Sequence, residues 1–263
     1  MNEPRADIQQ IQQPDDPRIA DYAHVGDPAW LRLNGLFVAE GRIVVGRLLT
    51  AARFRIRSIL VTPAVLEALG PLPASVVVHV AKQPVVTAIT GFNFHRGCLA
   101  LVERPPDSAV EDVVRGNRVL VLEGVGNPDN VGGLFRVGAA FGVSGVLLDP
   151  TSGDPFYRKA VRTSMASALT VPQARLRPWP DALAIVREHG FTIVALTPSG
   201  STSVQEIAAV NFRKIALLVG AEGTGLTDEA LAAADIAARI PMPGGIDSLN
   251  VSVAAGIALS HLA

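Results

Sequence analysis

The sequence predicts an α/β protein: a C-terminal region on a mostly parallel sheet with helices on both faces, preceded by a smaller α/β region. Three observations point there. Beyond residue 117, near-continuous apolar runs ending in turn residues recur as RVLVLEGV, GVLLD, FTIVALTP and KIALLVGAEG. Helical patterns alternate with them: VGGLFRVGAAFG, PFYRKAVRTSMAS, PDALAIVREHG and a final helix from about Val251. Strands apolar on both faces, separated by helices, belong to a parallel sheet covered on both sides. Earlier in the chain, ASVVVHVA and GCLALVE read as strands, and LFVAEGRIVVGRLL as a strand running into a helix.

In chain order, residues 1–14 are polar and acidic and read as a loosely attached tail. Residues 15–104 form the smaller region, and 105–117, opening on a double proline, form a linker. Residues 118–263 form the parallel-sheet region. With 263 residues, 49% of them hydrophobic, and a mean hydropathy of +0.33, the chain has ample material for packed cores. No apolar run reaches the roughly 18–20 residues of a membrane span. The N-terminus lacks the apolar segment of a secretory signal, and the lone Cys98 fits a reducing cytoplasm. The five histidines are scattered, so no metal-ligand spacing is expected.

The net charge of −1 hides an uneven distribution. Residues 1–28 carry two arginines against six acidic residues. Residues 30–104 carry nine basic residues against Glu40, Glu67 and Glu103. Such a basic segment suits phosphate contacts, or is an ordinary solvated surface.

In open parallel sheets, ligands bind beyond the carboxyl ends of the strands, so the loops there hold the candidate site. The first loop reads EGVGNPDNVGGLFRVGAAFGV. Asn130 is a candidate N-cap for a helix starting near Val131, and Gly132, Gly133 and Gly138 let that helix pack closely. Arg136 is a lone cation among Leu134, Phe135, Val137 and Ala139. It lies on a solvated helix face, or it meets a phosphate or developing oxyanion. A dinucleotide fingerprint begins at Gly124 and Gly126, but its third glycine falls at Asp129 and Pro128 interrupts the turn. Asp149 is only a weak partner for such a motif.

The second loop, LLVGAEGTGLTDEAL, offers bare backbone at Gly220, Gly223 and Gly225, with Thr227 as a helix cap. Glu222 either orders loop amides or positions a hydroxyl. The third, IPMPGGIDSLNVSVAAGIAL, leads into the last helix. Asp247, Ser248 and Asn250 open that helix, Ser248 as its default N-cap, and Asn250 brings an amide with both donor and acceptor. Backbone groups of Ile240, Met242 and Leu249 stand where they can hydrogen-bond a flat heterocycle.

These three stretches together resemble the SpoU/TrmH branch of the SPOUT RNA methyltransferases, which methylate ribose 2′-hydroxyls. NPDNVGGLFRVGAAFGV, LLVGAEGTGL and IPMPGGIDSLNVSVAAGIAL match the family's three motifs in order. KAVRTSMASALTVP matches an intermediate element through Arg162 and Ser164. There, Ala166 replaces the usual glycine, read as a packing change. GLFVAEGRIVVGRLL and GFNFHRGCLALVE are similar to a small ribosomal-protein-like RNA-binding domain found before many members.

The resemblance implies a C-terminal trefoil knot cupping S-adenosylmethionine, a rare exception among folds. It implies that Gly220, Ile240 and Leu249 hold that cofactor through backbone groups, with Leu196, Thr197, Ala221, Met242 and Ser248 nearby. It also implies homodimers, and an in-line attack of a ribose 2′-oxygen on the methyl carbon. Arg136 is then the base or an oxyanion stabiliser, Asn130 braces the first loop, and Glu222, Ser248 and Asn250 complete the catalytic set. RNA contacts are expected at Arg32, Arg53, Arg55, Arg57, Arg96 and Arg162, and ribosomal RNA ahead of transfer RNA. The competing readings are an RNA-binding member without catalysis and, on weaker grounds, a nucleotide-dependent oxidoreductase.

Overall fold

A computed structural model describes residues 6–51, 53–92, 94, 96–243 and 248–262. Residues 1–5 of the expected tail, and Gly244, Gly245 and Asp247 of the third loop, lie outside the described residues. The chain divides into two compact units. One runs to Pro106 and also holds Phe156–Ala166; the other comprises Asp107–Pro155 and the chain from Ser167 onward.

The first unit contains β1 (Asp7–Ile11), α1 (Pro28–Leu33), β2 (Leu36–Glu40), α2 (Arg42–Thr50), β3 (Ile56–Val61), α3 (Pro63–Leu69), β4 (Val77–Ala81), α4 (Gln83–Thr90) and β5 (Cys98–Glu103). Its sheet runs β1-β4-β3-β5-β2, parallel from β1 to β3 and antiparallel where β5 meets β3 and β2. The stretch read as a strand running into a helix is β2 followed by α2. Tyr22, Leu60, Phe94, Leu99 and Leu101 pack into one buried cluster. Phe37 packs with Phe54 and with Phe156, ring centroids 5.7 and 5.0 Å apart.

The expected tail is corrected by β1. Asp7–Ile11 pairs in parallel with Val77–Ala81. Only Ile11 of DIQQI is buried, so the strand sits at a sheet edge where polar side chains are tolerated and its composition mimics disorder.

The second unit contains α5 (Val110–Val113), β6 (Arg118–Leu122), α6 (Pro128–Ala140) and β7 (Gly145–Leu148). The segment that follows, α7 (Arg158–Thr163), packs with the first unit. The second unit then resumes with α8 (Ser167–Thr170), β8 (Gln173–Arg175), α9 (Leu183–Glu188), β9 (Thr192–Leu196), β10 (Thr202–Ser203), α10 (Val204–Val210), β11 (Ile215–Val219), α11 (Asp228–Ala232), β12 (Ile236–Arg239) and α12 (Val251–Leu262). All seven strands are parallel, in the order β10-β12-β9-β11-β6-β7-β8. β6, β7 and β11 are buried at nearly every position, as their uninterrupted apolar runs require. The expected linker is half structural: Val113 and Val114 belong to this unit's core.

The strand order places the site. β9 and β12 lie on one side of β11, and β6 to β8 on the other, so the chain reverses its winding around β11. The loops leaving β6, β9, β11 and β12 therefore meet at one carboxyl edge, where open α/β sheets bind ligands.

Candidate active site

The loop leaving β6 is held by a buried carboxylate. Asp149 accepts hydrogen bonds from the Gly124 N–H at 3.1 Å and the Ser152 N–H at 2.7 Å, and from the Thr151 N–H and hydroxyl. Burial pushes its pKa up, but the hydrogen bonds from Ser152, Thr151 and Gly124 outweigh this and hold it below the ordinary value. With its oxygens committed, Asp149 is no ribose-binding acid.

The N-cap of α6 is corrected from Asn130 to Asn127, whose side chain accepts the Asp129 N–H at 2.9 Å. Pro128 takes the first helical position, where it lacks no needed donor, so the helix begins earlier than the apolar pattern indicates. Asn130 is thus inside the helix and buried.

Its partner is 120 residues away. Asn250 Nδ2 donates to Asn130 Oδ1 at 2.9 Å and to Glu222 Oε1 at 2.7 Å. Asn250 Oδ1 accepts from the N–H groups of Ser252, at 3.0 Å, and Val253, at 3.3 Å, and from the Ser252 hydroxyl. One amide thus caps α12 and ties the first, second and third loops together. The expected cap at Ser248 is corrected accordingly: Ser248 and Asn250 both precede the helix, which starts at Val251, and Asn250 caps it. α12 packs on α6 at close range, for a Cβ on Gly133 would stand 2.9 Å from the Ser252 side chain.

Beside this bracket lies a cavity of about 450 Å³. Leu196 and Thr197 line it from the β9 end; Gly220, Ala221 and Glu222 from the β11 end; and Ile240, Met242, Ser248 and Leu249 from the approach to α12. Gly220 is required by the chain itself: a Cβ there would lie 2.3 Å from the backbone carbon of Gly225. The 220–226 turn folds back so tightly that Ala221 bridges Gly225.

Sequence reasoning missed what anchors this turn. Glu123, buried at the end of β6, accepts from the Thr227 N–H at 2.9 Å, the Thr227 hydroxyl at 2.8 Å and Trp179 Nε1 at 2.7 Å. Thr227 also caps α11 by accepting the Ala230 N–H, as its sequence position indicates. The available signal for Glu123 was an acidic residue directly after the apolar run VLVL.

The structure does not join Arg136 to the bracket. It is exposed on α6, about 9 Å of helix rise beyond Asn130, and no described residue pairs with it. The basic residues expected to contact RNA all lie in the first unit. Arg32 is exposed on α1, and Arg53 lies over the Phe54 ring at 4.6 Å. Arg55 pairs with Glu103 and Arg57 with Asp21, while Arg96 and Arg162 both approach Glu40. Among the described residues, no helix is long and apolar enough to cross a membrane.

Fold and site define an α/β protein with a ligand cavity at the carboxyl edge of a parallel sheet, flanked by a polar bracket drawn from separated motifs. The family model for the SpoU rRNA Methylase family matches residues 117–260. The chain is 42% identical over 261 residues to an uncharacterized tRNA/rRNA methyltransferase of Mycobacterium bovis, covering 96% of this chain and 90% of that one. Among solved structures it is similar to an AdoMet-bound rRNA methyltransferase from Sinorhizobium meliloti, with TM-score 0.82, 25% identity and 97% of each chain covered. It is also similar to an RNA 2′-O ribose methyltransferase, with TM-score 0.81, 25% identity, and 97% of this chain and 98% of that one covered. The protein belongs to the SpoU rRNA methylase family.

Proposed function

We propose that this protein transfers a methyl group from S-adenosylmethionine to a ribose 2′-hydroxyl of structured RNA, ribosomal RNA ahead of transfer RNA. Family membership makes it an S-adenosylmethionine-dependent RNA methyltransferase; the acceptor atom and the RNA are our reading. One observation carries it: Glu222 lines the cavity and also hydrogen-bonds Asn250, so the cofactor-sized cavity and the polar bracket share a residue. The similar 2′-O ribose methyltransferase supports the acceptor assignment.

The residues fit the cofactor. The cavity falls within the roughly 300–1,000 Å³ of small-molecule sites, with apolar walls from Leu196, Ile240 and Leu249 and polar groups at Thr197 and Glu222. When bound, S-adenosylmethionine supplies a methyl carbon on a sulfonium. Gly220, Ala221, Ile240, Met242 and Leu249 hold it, with Ser248 at the rim. Asn130, Glu222 and Asn250 fix the walls and the ribose. Arg136 neutralises a substrate phosphate and stabilises the 2′-oxyanion while water takes the proton, since a guanidinium presents hydrogen-bond donors and no acceptor. An Arg136→Lys variant with normal turnover would remove any special role for the planar fork.

The trefoil threading, the homodimer and RNA docking on the first unit belong to the same proposal. Val210 and Val253, 61% and 51% exposed on α10 and α12, suit an apolar contact between copies. The test is methyl transfer from labelled S-adenosylmethionine to purified ribosomal and transfer RNA, followed by alkaline hydrolysis. A 2′-O-methylated nucleotide protects its 3′ bond and appears as a dinucleotide. Label in mononucleotides would place the methyl group on a base and overturn the acceptor assignment.

A further inference from the structure

We propose that Arg96, Arg158 and Arg162, gathered around the buried carboxylate of Glu40, form a docking site in the first unit for one phosphodiester group of the substrate RNA. The inference rests on the RNA reading above and deepens it, adding Arg158 and Glu40 and naming the group that is bound.

Glu40 ends β2 and is only 6% exposed. Arg96 Nε lies 3.8 Å from its Oε1; Arg158 Nε and Arg162 Nη1 lie 3.9 and 3.8 Å from its Oε2. These distances are electrostatic contacts, longer than the roughly 2.7–3.2 Å of an N–H···O hydrogen bond. Three guanidiniums thus share one negative charge without committing their donor forks to it. The site carries an excess of two positive charges, and each arginine retains donors for an incoming anion.

Elsewhere on this unit the pairing is one to one, Arg55 with Glu103 and Arg57 with Asp21. At Glu40, by contrast, three guanidiniums face one carboxylate. The arrangement is also preorganised. The Arg158 guanidinium lies 4.1 Å from the Phe92 ring centroid, which fixes its plane. Its Nη1 is buried without a hydrogen-bond partner. The Arg47 guanidinium donates to the Met165 carbonyl and so pins the turn after α7, the helix that supplies Arg158 and Arg162. The three side chains remain 53%, 25% and 33% exposed, so an anion can reach them. A planar fork matched to phosphate geometry is the role for which arginine exceeds lysine. Glu40 holds three like charges in place until the phosphate arrives.

The test is binding of a fluorescent hairpin RNA to the full-length protein by anisotropy across a potassium chloride series. The proteins compared are wild type, Arg96→Ala, Arg158→Ala, Arg158→Lys and Arg115→Ala. Titration with S-adenosylmethionine serves as the control for folding of the second unit, and circular dichroism for the whole chain. Arg96→Ala and Arg158→Ala should each weaken RNA binding by about three- to tenfold. Each should flatten the log–log salt slope by no more than the roughly 0.7–0.9 that one phosphate contact contributes, because the three arginines share a single phosphate. Arg158→Lys should recover part of the affinity, and Arg115→Ala, in the second unit and paired there with Asp112, should leave the slope unchanged. If Arg158→Ala fails to fold, Arg96→Ala, the most exposed of the three, carries the test. Wild-type affinity and slope in the alanine variants, with wild-type protein binding RNA, would refute the site alone. A wild-type protein that binds S-adenosylmethionine but no RNA would refute the RNA reading, and the site with it.

Discussion

Asn250→Ala should separate the two jobs of that amide. The substitution removes the α12 cap, worth about 1 kcal/mol. It also leaves the buried Asn130 Oδ1 without its 2.9 Å donor, a penalty of about 1–2 kcal/mol. The bond to Glu222 adds little, because both partners are exposed. The expected loss is about 2–3 kcal/mol, or a Tm lowered by roughly 4–12 °C. Asn250→Ser keeps a capping oxygen and should recover about half of that stability while still lacking the bridge. Asn250→Asp keeps the cap but sets a negative charge against the Glu222 carboxylate and the Asn130 oxygen. Thermal unfolding gives the stabilities, calorimetry the S-adenosylmethionine affinity, and labelled transfer the rate. The reasoning requires all three variants to lose more in methyl transfer than in cofactor affinity. An Asn250→Asp protein as stable and as active as wild type would refute it, since no donor would then be needed between Asn130 and Glu222.

Three further outcomes follow from the geometry. Asp149→Asn should cost about 2–3 kcal/mol at neutral pH, because four hydrogen-bond donors converge on that carboxylate. Since the folded pKa of Asp149 is depressed, its contribution is present above about pH 4 and disappears as pH falls through the folded value; urea unfolding curves of the two proteins should therefore converge in acid. Glu123→Gln places an amide N–H₂ among three donors, and should weaken S-adenosylmethionine binding about tenfold through the 220–227 turn, readable by calorimetry. Ala166→Gly should raise stability by about 0.5–1 kcal/mol in denaturant unfolding, for Ala166 sits at φ 69° where a Cβ is disfavoured.

That last position corrects the sequence reading. Ala166 in place of glycine is a matter of backbone conformation, because Met165 and Ala166 both have positive φ in the turn after α7. What was legible in the sequence shared a physical cause. β6, β7, β9 and β11 are apolar over most of their length because the sheet buries both faces, and that pattern alone locates the loops at their carboxyl ends. β8, β10 and β12 were not legible. They are two to four residues long, lie at or beside a sheet edge, and carry small or polar side chains such as QAR and IAAR. Residue identities at the cavity were readable from motif resemblance, whereas the pairings were not. Asn250 reaches Asn130 across 120 residues and Glu123 reaches Thr227 across 104, and no local pattern encodes either. Arg136 stood out as a lone cation in an apolar helix, but the spacing of its neighbours does not say which face of α6 turns outward; the fold exposes it.

The return of Phe156–Ala166 to the first unit constrains how this protein can be cut apart. A fragment starting at Asp107 would keep that stretch yet lose Phe37 and Phe54, leaving Phe156, only 4% exposed in the whole chain, without its aromatic companions. Exchanging the first unit for a different domain would therefore require three splice points, with the short internal passage travelling alongside the piece it is lodged in.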